Sequence, residues 1–199
     1  MHNSPDYGTG FAISQKRFFK REFMNLQKLE KQTNASIDYW IDTFRHYDFD
    51  QILMKPAENS WSLGQVGIHL WMASKGFFFK NAEKCLSKEG TEKGKSKKLG
   101  AHLIFTFRML PPVRYEMPQQ VSVVPKQPES KEQLIARLEE IKKLAAGYIQ
   151  RIPQSDPELK TKHPFLGWLN TAEWIELCSI HFRHHRAQKK RIERHFGFK

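Results

Sequence analysis

The chain has 199 residues, with 33 Lys+Arg against 21 Asp+Glu and a formal net charge of +12. Its 39% hydrophobic and 13% aromatic residues are enough to build a core, which excludes wholesale disorder. The length suits one domain, or one domain with a long insertion. Two cysteines, Cys85 and Cys178, exclude a disulfide framework and point to a reducing compartment. The expected setting is therefore cytoplasmic. Apolar runs such as Gly76-Phe77-Phe78-Phe79 are far too short to span a bilayer. The N-terminus has no apolar region behind a positive start, so neither a membrane partner nor a signal peptide is expected. Basic residues are scattered over both ends and the middle. That spread reads as a solubility feature that favours anionic small molecules, and specific nucleic-acid binding is not expected on this reading.

The pattern predicts four helices. Residues 1–21 read as a polar tail that ends in a basic-aromatic run, Lys16 to Arg21. The first helix is predicted from Glu22 to Tyr47. Leu26, Leu29, Thr33, Ile37, Trp40, Ile41 and Phe44 recur there at spacings of three and four. The second begins near Ser62, where Ser62 and Gln65 have capping-box spacing, and fades near Ser87. Its predicted inner face carries Val66, His69, Leu70, Ala73 and Phe77. A charged, Gly-interrupted run from Lys88 to Lys98 reads as a mobile loop. The third helix comes after Pro128, with Ser130 and Gln133 at its start and Leu134, Leu138, Ile141, Ala145 and Tyr148 as its stripe. The fourth starts near Asn170 or Thr171. Its stripe is Trp174, Leu177, Cys178, His181, His185, Gln188 and Ile192, and Gly197 lies just past its end. No strand pattern competes; Val121 to Val124, bracketed by Pro118 and Pro125, is the best β-like run. The fold class is all-α, a four-helix bundle with a long insertion, residues 89–129, between helices two and three. The insertion is too long for plain loop, and its apolar stretch from Leu103 to Pro112 predicts a short extra helix or part of a subunit contact. A homodimer is the corresponding expectation.

The histidines carry the chemistry. His181 and His185 are one turn apart on the apolar stripe of helix four, and His69 lies on the apolar stripe of helix two. If the stripes face each other, three imidazoles converge, a donor set that leaves coordination positions open. Spacing alone leaves two other readings open: hydrogen-bonded core histidines, or a solvated basic face from His181 to Arg186.

Two segments add to this. Pro56 to Leu70 holds Trp61-Ser62 and then His69-Leu70. Residues 163–188 hold His163-Pro164, Gly167, Leu169, Trp174, His181, His185 and Gln188. Together, in this order, they resemble the two signatures of the DinB/YfiT-like superfamily across residues 22–196. The resemblance implies a four-helix bundle domain with a divalent metal held by three histidines, here His69, His181 and His185. Two features depart from the pattern: Gly64 in the first turn of helix two, and His184, a competing ring beside His185. Zn, Ni, Fe or Cu would suit three imidazoles. The resemblance also implies hydrolysis, or transfer with a metal-activated low-molecular-weight thiol as nucleophile, on a small substrate; the net positive charge favours an anionic one. A non-enzymatic metal- or ligand-binding protein is the alternative, and a basic nucleic-acid binder ranks last.

The pattern identifies no catalytic residue. Glu58 precedes helix two, and Glu173 reads as a capping carboxylate. Gln188 could orient a histidine ring or bind substrate. Trp61 and Trp174 could wall a pocket, with core packing as the favoured role. Cys178 could add a fourth ligand, but a small buried hydrophobe is the better reading.

Overall fold

The computed structural model describes residues 8–111 and 123–198, with side chains from Asn25 onward. Helix α1 spans Gly8–His46, and a short α2 spans Phe49–Leu53. Next comes a long bent helix, built from α3 (Leu63–Ala73), a π-helical turn (Ser74–Phe79) and α4 (Lys80–Ser87). Helix α5 (Leu99–Phe107) lies in the insertion. Helix α6 (Lys131–Arg151), a hairpin of β1 (Thr161–His163) and β2 (Gly167–Leu169), and α7 (Thr171–Phe196) complete the described chain. The four long helices form the predicted bundle. Helix α1 packs on α6 and α7, and the bent helix closes the other side against the same two.

The apolar stripes drive this arrangement. Ile37, Trp40 and Phe44 of α1, Leu134, Leu138 and Ile141 of α6, and Trp174 and Phe182 of α7 have no exposed surface. Each such side chain contributes about 1.5–3 kcal/mol by leaving water. Polar links set the register. Trp40 Nε1 donates to the Phe182 carbonyl at 3.0 Å, and the Tyr47 hydroxyl donates to Glu193 at 2.6 Å. The predicted caps form as reciprocal boxes, Ser62 with Gln65 and Asn170 with Glu173. Ser130 also accepts from the Gln133 backbone N–H.

Gly64 has a packing reason. A Cβ there would sit 2.7 Å from Pro128, and at Gly67 it would sit 2.7 Å from Phe44. Helix α3 therefore lies closer to its neighbours than any side chain would allow.

Several expectations need correction. The chain is helical from Gly8, well before the predicted start at Glu22, so part of the expected tail is helix. Two short strands exist where none was predicted. They pair antiparallel, Thr161 with Leu169 and His163 with Gly167. Three residues are too few to show a period of two. The turn holds them instead: Gly167 adopts φ +87°, and a Cβ there would meet the Lys98 backbone nitrogen at 2.8 Å. The loop from Lys88 to Lys98 is pinned rather than loose. Glu92 and Lys160 exchange backbone hydrogen bonds at 3.0 and 3.2 Å, and Lys98 N donates to the Leu166 carbonyl at 2.8 Å. The extra helix predicted in the insertion is α5. Ala101 and Ile104 face the core, while Leu99, Leu103 and Phe107 form an exposed stripe. Val121 and Ser122 of the β-like run lie outside the described residues. Val123 and Val124 form no strand. No helix among the described residues is long and apolar enough to cross a membrane.

His163 ties the hairpin turn together. Its Nδ1 accepts from the backbone N–H groups of Phe165 and Leu166 at 3.1 and 3.2 Å, and its ring packs on Phe77 and Trp174. Burial lowers its pKa from 6.5 to about 4. The neutral ring therefore contributes stability that is complete above pH 6.5 and is lost as pH falls toward 4. A His163→Asn variant keeps an acceptor but cannot titrate. The gap in urea midpoint between wild type and this variant is expected to narrow from pH 7.5 to pH 4.5; a gap that stays constant would contradict the assignment.

Candidate metal centre

His69 stands on α3, one turn before the π-helical segment. His181 and His185 stand on α7, where i,i+4 spacing stacks their rings along one face. The three rings meet between these helices. His181 Nε2 lies 3.2 Å from His69 Nε2 and 3.1 Å from His185 Nε2. One donor nitrogen from each of the three lies within 4.8 Å of the others.

The proton arrangement is informative. His185 Nδ1 lies 2.8 Å from Gln188 Oε1, an acceptor, so Nδ1 carries the proton and Nε2 presents a lone pair. His181 Nε2 faces both neighbours but has either one proton or one lone pair to offer. If it carries the proton, that one proton must be shared between two lone pairs or meets a proton on His69; if it carries the lone pair, it faces the lone pair of His185. Its other nitrogen, Nδ1, is buried with no hydrogen-bond partner. Protonating a ring would not resolve this, because burial opposes the charge. Burial lowers His69 to about 4 and His185 to about 3, and pushes His181 well below 6.5, with the neighbouring histidines adding to the effect on the last two. Three neutral imidazoles with converging nitrogens suit a cation. Tetrahedral zinc at its usual bond length would space its nitrogen ligands about 3.3 Å apart. The donor set fits a divalent transition metal.

The surroundings are aromatic. The Trp61 ring lies 5.0 Å from the His69 ring, and Phe78 lies 5.2 Å from His181. The sequence pattern placed Ala73 and Phe77 on this face, yet the buried residues are Ser74 and Phe78. The π-helical turn explains the shift, since it inserts an extra residue and rotates the helix beyond it. Phe78 was thus missed from sequence, and its only signal is the run Phe77-Phe78-Phe79, which any core helix could carry.

The other candidates separate clearly. Trp174 is fully buried and its Nε1 donates to Thr161, so it is a core residue. Glu173 caps α7 and pairs with Lys97. Glu58 is exposed. His184 lies beside His185 with ring centroids 5.5 Å apart, but the converging cluster consists of His69, His181 and His185. Cys178 is fully buried, with Sγ 3.3 Å from Ser74 Oγ, and burial pushes its thiol up to about 12. Cys85 is buried beside Thr161 and its pKa is also raised by burial. Neither thiol belongs to the cluster.

Comparison with known proteins supports the fold and the family. No curated protein matches the chain. Among solved structures, the chain is similar to the crystal structure of TT2238, described as a four-helix bundle protein. The identity is 16% and the TM-score 0.50, over 83% of this chain and 98% of the other. That likeness supports the fold. The sequence model of the DinB superfamily matches residues 19–188, and therefore both arms of the histidine cluster. The chain belongs to the DinB superfamily.

Proposed function

We propose that this protein is a metal-dependent enzyme whose divalent transition metal is held by His69, His181 and His185. One observation carries the reading: three neutral imidazole nitrogens converge where their own protons cannot give both His181 contacts a full hydrogen bond, and His181 Nδ1 is buried without a partner among the described residues. An ion bound there, with positions left open, would supply Lewis acidity toward water or a small thiol, for hydrolysis or group transfer. The chain's own residues supply the rest. Gln188 holds the His185 ring in the tautomer that presents Nε2. Trp61 and Phe78 flank the rings and keep the surroundings apolar. The net charge of +12 favours an anionic small-molecule substrate. A reducing, cytoplasmic setting suits two buried free thiols. The exposed Leu99, Leu103 and Phe107 stripe supports self-association as a homodimer.

A non-enzymatic metal- or ligand-binding role uses the same site. The two are separated by turnover of thiols and hydrolysable esters that depends on the metal and on the three histidines.

The first test is metal content. Elemental analysis is expected to find about one transition-metal ion per wild-type chain, in keeping with a three-histidine site. A His69→Ala/His181→Ala/His185→Ala variant should have lost it. A wild-type protein that binds no metal after reconstitution would overturn the proposal. The second test concerns Gln188. Gln188→Leu is expected to weaken metal affinity roughly 10–100-fold in competition with a chelator, since it removes the partner that fixes the ring. Unchanged affinity would assign Gln188 a purely structural role.

A further inference from the structure

The flank of α7 that faces α1 carries a second cluster. Glu176, Ser179, Arg183 and Arg186 share one face by their helical spacing. Ser179 Oγ lies 3.0 Å from Ser36 Oγ on α1, and the Arg186 guanidinium lies 4.1 Å above the Tyr39 ring. Arg108 reaches in from the end of α5. Its Nε is 2.8 Å from a Glu176 oxygen, and its Nη1 donates to Gln32 Oε1. Arg108 holds a left-handed backbone, φ 52°, which is uncommon outside glycine and aims this side chain.

Among the described residues, the carboxylate of this group is Glu176: its Oε1 lies 2.8 Å from Arg108 Nε but accepts no hydrogen bond, and neither Arg183 nor Arg186 forms an ion pair with it. Among the described residues, Arg183 has no hydrogen-bond acceptor and no ion pair within 4 Å. Arg186 has the Tyr39 ring and no acceptor. The Nε of each is buried and unpartnered. Buried donors without acceptors and an excess of fixed positive charge are both costly, and both are relieved by one ligand type.

We infer that Arg183 and Arg186, with Arg108, form a binding site for a phosphate-class oxyanion, on the flank of α7 away from the three histidines. Guanidinium forks match the oxygen spacing of such an anion, and its double charge balances the excess that Glu176 leaves. The inference does not rest on metal binding.

The test titrates the purified protein with inorganic phosphate at constant ionic strength. Binding is followed by calorimetry and by the NMR signals of the arginine Nε–H groups. Saturable binding that moves the Arg183 and Arg186 signals is expected. Arg183→Gln should weaken it by at least about tenfold, as expected for losing a charge-assisted fork. Glu176→Gln, which removes the competing carboxylate, should tighten it. These opposite signs separate ligand binding from damage to the fold, and far-UV circular dichroism confirms that each variant is folded. His69→Ala should leave phosphate affinity unchanged. Phenyl phosphate binding as tightly as phosphate would assign the site to a phosphomonoester, whereas exclusion of phenyl phosphate would assign it to the free ion. Three results would overturn the inference: no saturation, loss of binding in His69→Ala but not in Arg183→Gln, or an equal loss in Lys143→Gln, a change at an exposed lysine on α6.

Discussion

Holding three uncharged imidazoles against one another, largely out of water, is the constraint on which the site depends. It requires α3 and α7 to present their histidines at one level. That level is fixed from behind. Gly64 and Gly67 let α3 settle against Pro128, Phe44 and Leu134 at distances a methyl group would forbid. The Ser62–Gln65 box fixes where α3 begins, and the Gln65 side chain also donates to the Pro125 carbonyl at 2.7 Å. The insertion's far end is thereby stitched to the start of the histidine-bearing helix. Gly64, which lowers local helix propensity, is explained by this approach: tertiary packing outweighs a cost of about 1 kcal/mol.

The bundle and the histidine set were legible in the sequence because both depend on helical periodicity. Ile37, Trp40, Leu134, Leu138 and Trp174 occur at spacings that only a helix can bury together, and His69, His181 and His185 share those stripes. Other features depend on contacts that no local pattern records. The π-helical turn is one: Ser74 and Phe78 replace Ala73 and Phe77 on the inner face through a single inserted residue. The hairpin is another, since its strands are three residues long and its turn is held by His163 accepting two backbone N–H groups. The run from Lys88 to Lys98 has the composition of a free loop. Its backbone bonds to Lys160, Leu166 and Trp168 come from residues far away in sequence.

The net positive charge also has a more particular arrangement than composition suggests. Much of it is paired: Lys97 with Glu173, Arg151 with Glu83, Lys142 with Asp38 and Lys75 with Glu140. Most of these pairs are partly exposed and contribute little to stability. Arg183 and Arg186 differ because they are partly enclosed and form no ion pair among the described residues. Helix α7 therefore presents two chemically distinct flanks. On one, burial strips charge from imidazoles. On the other, Arg183 is subject to the same burial but starts from a far higher intrinsic basicity.

Cys178 shows how the donor set is kept to three nitrogens. It lies one turn before His181 on the same stripe, but its sulfur is not part of the nitrogen cluster. Its sulfur instead contacts Ser74 Oγ, while that hydroxyl donates to the Leu70 carbonyl at 2.7 Å. Ser74 opens the π-helical turn, so the irregularity that sends Phe78 against His181 also brings a hydroxyl to the thiol. Burial raises the Cys178 pKa to about 12, which keeps the group a thiol beside Ser74. The same turn thus leaves the histidine nitrogens as the donors and separates them from the nearest sulfur.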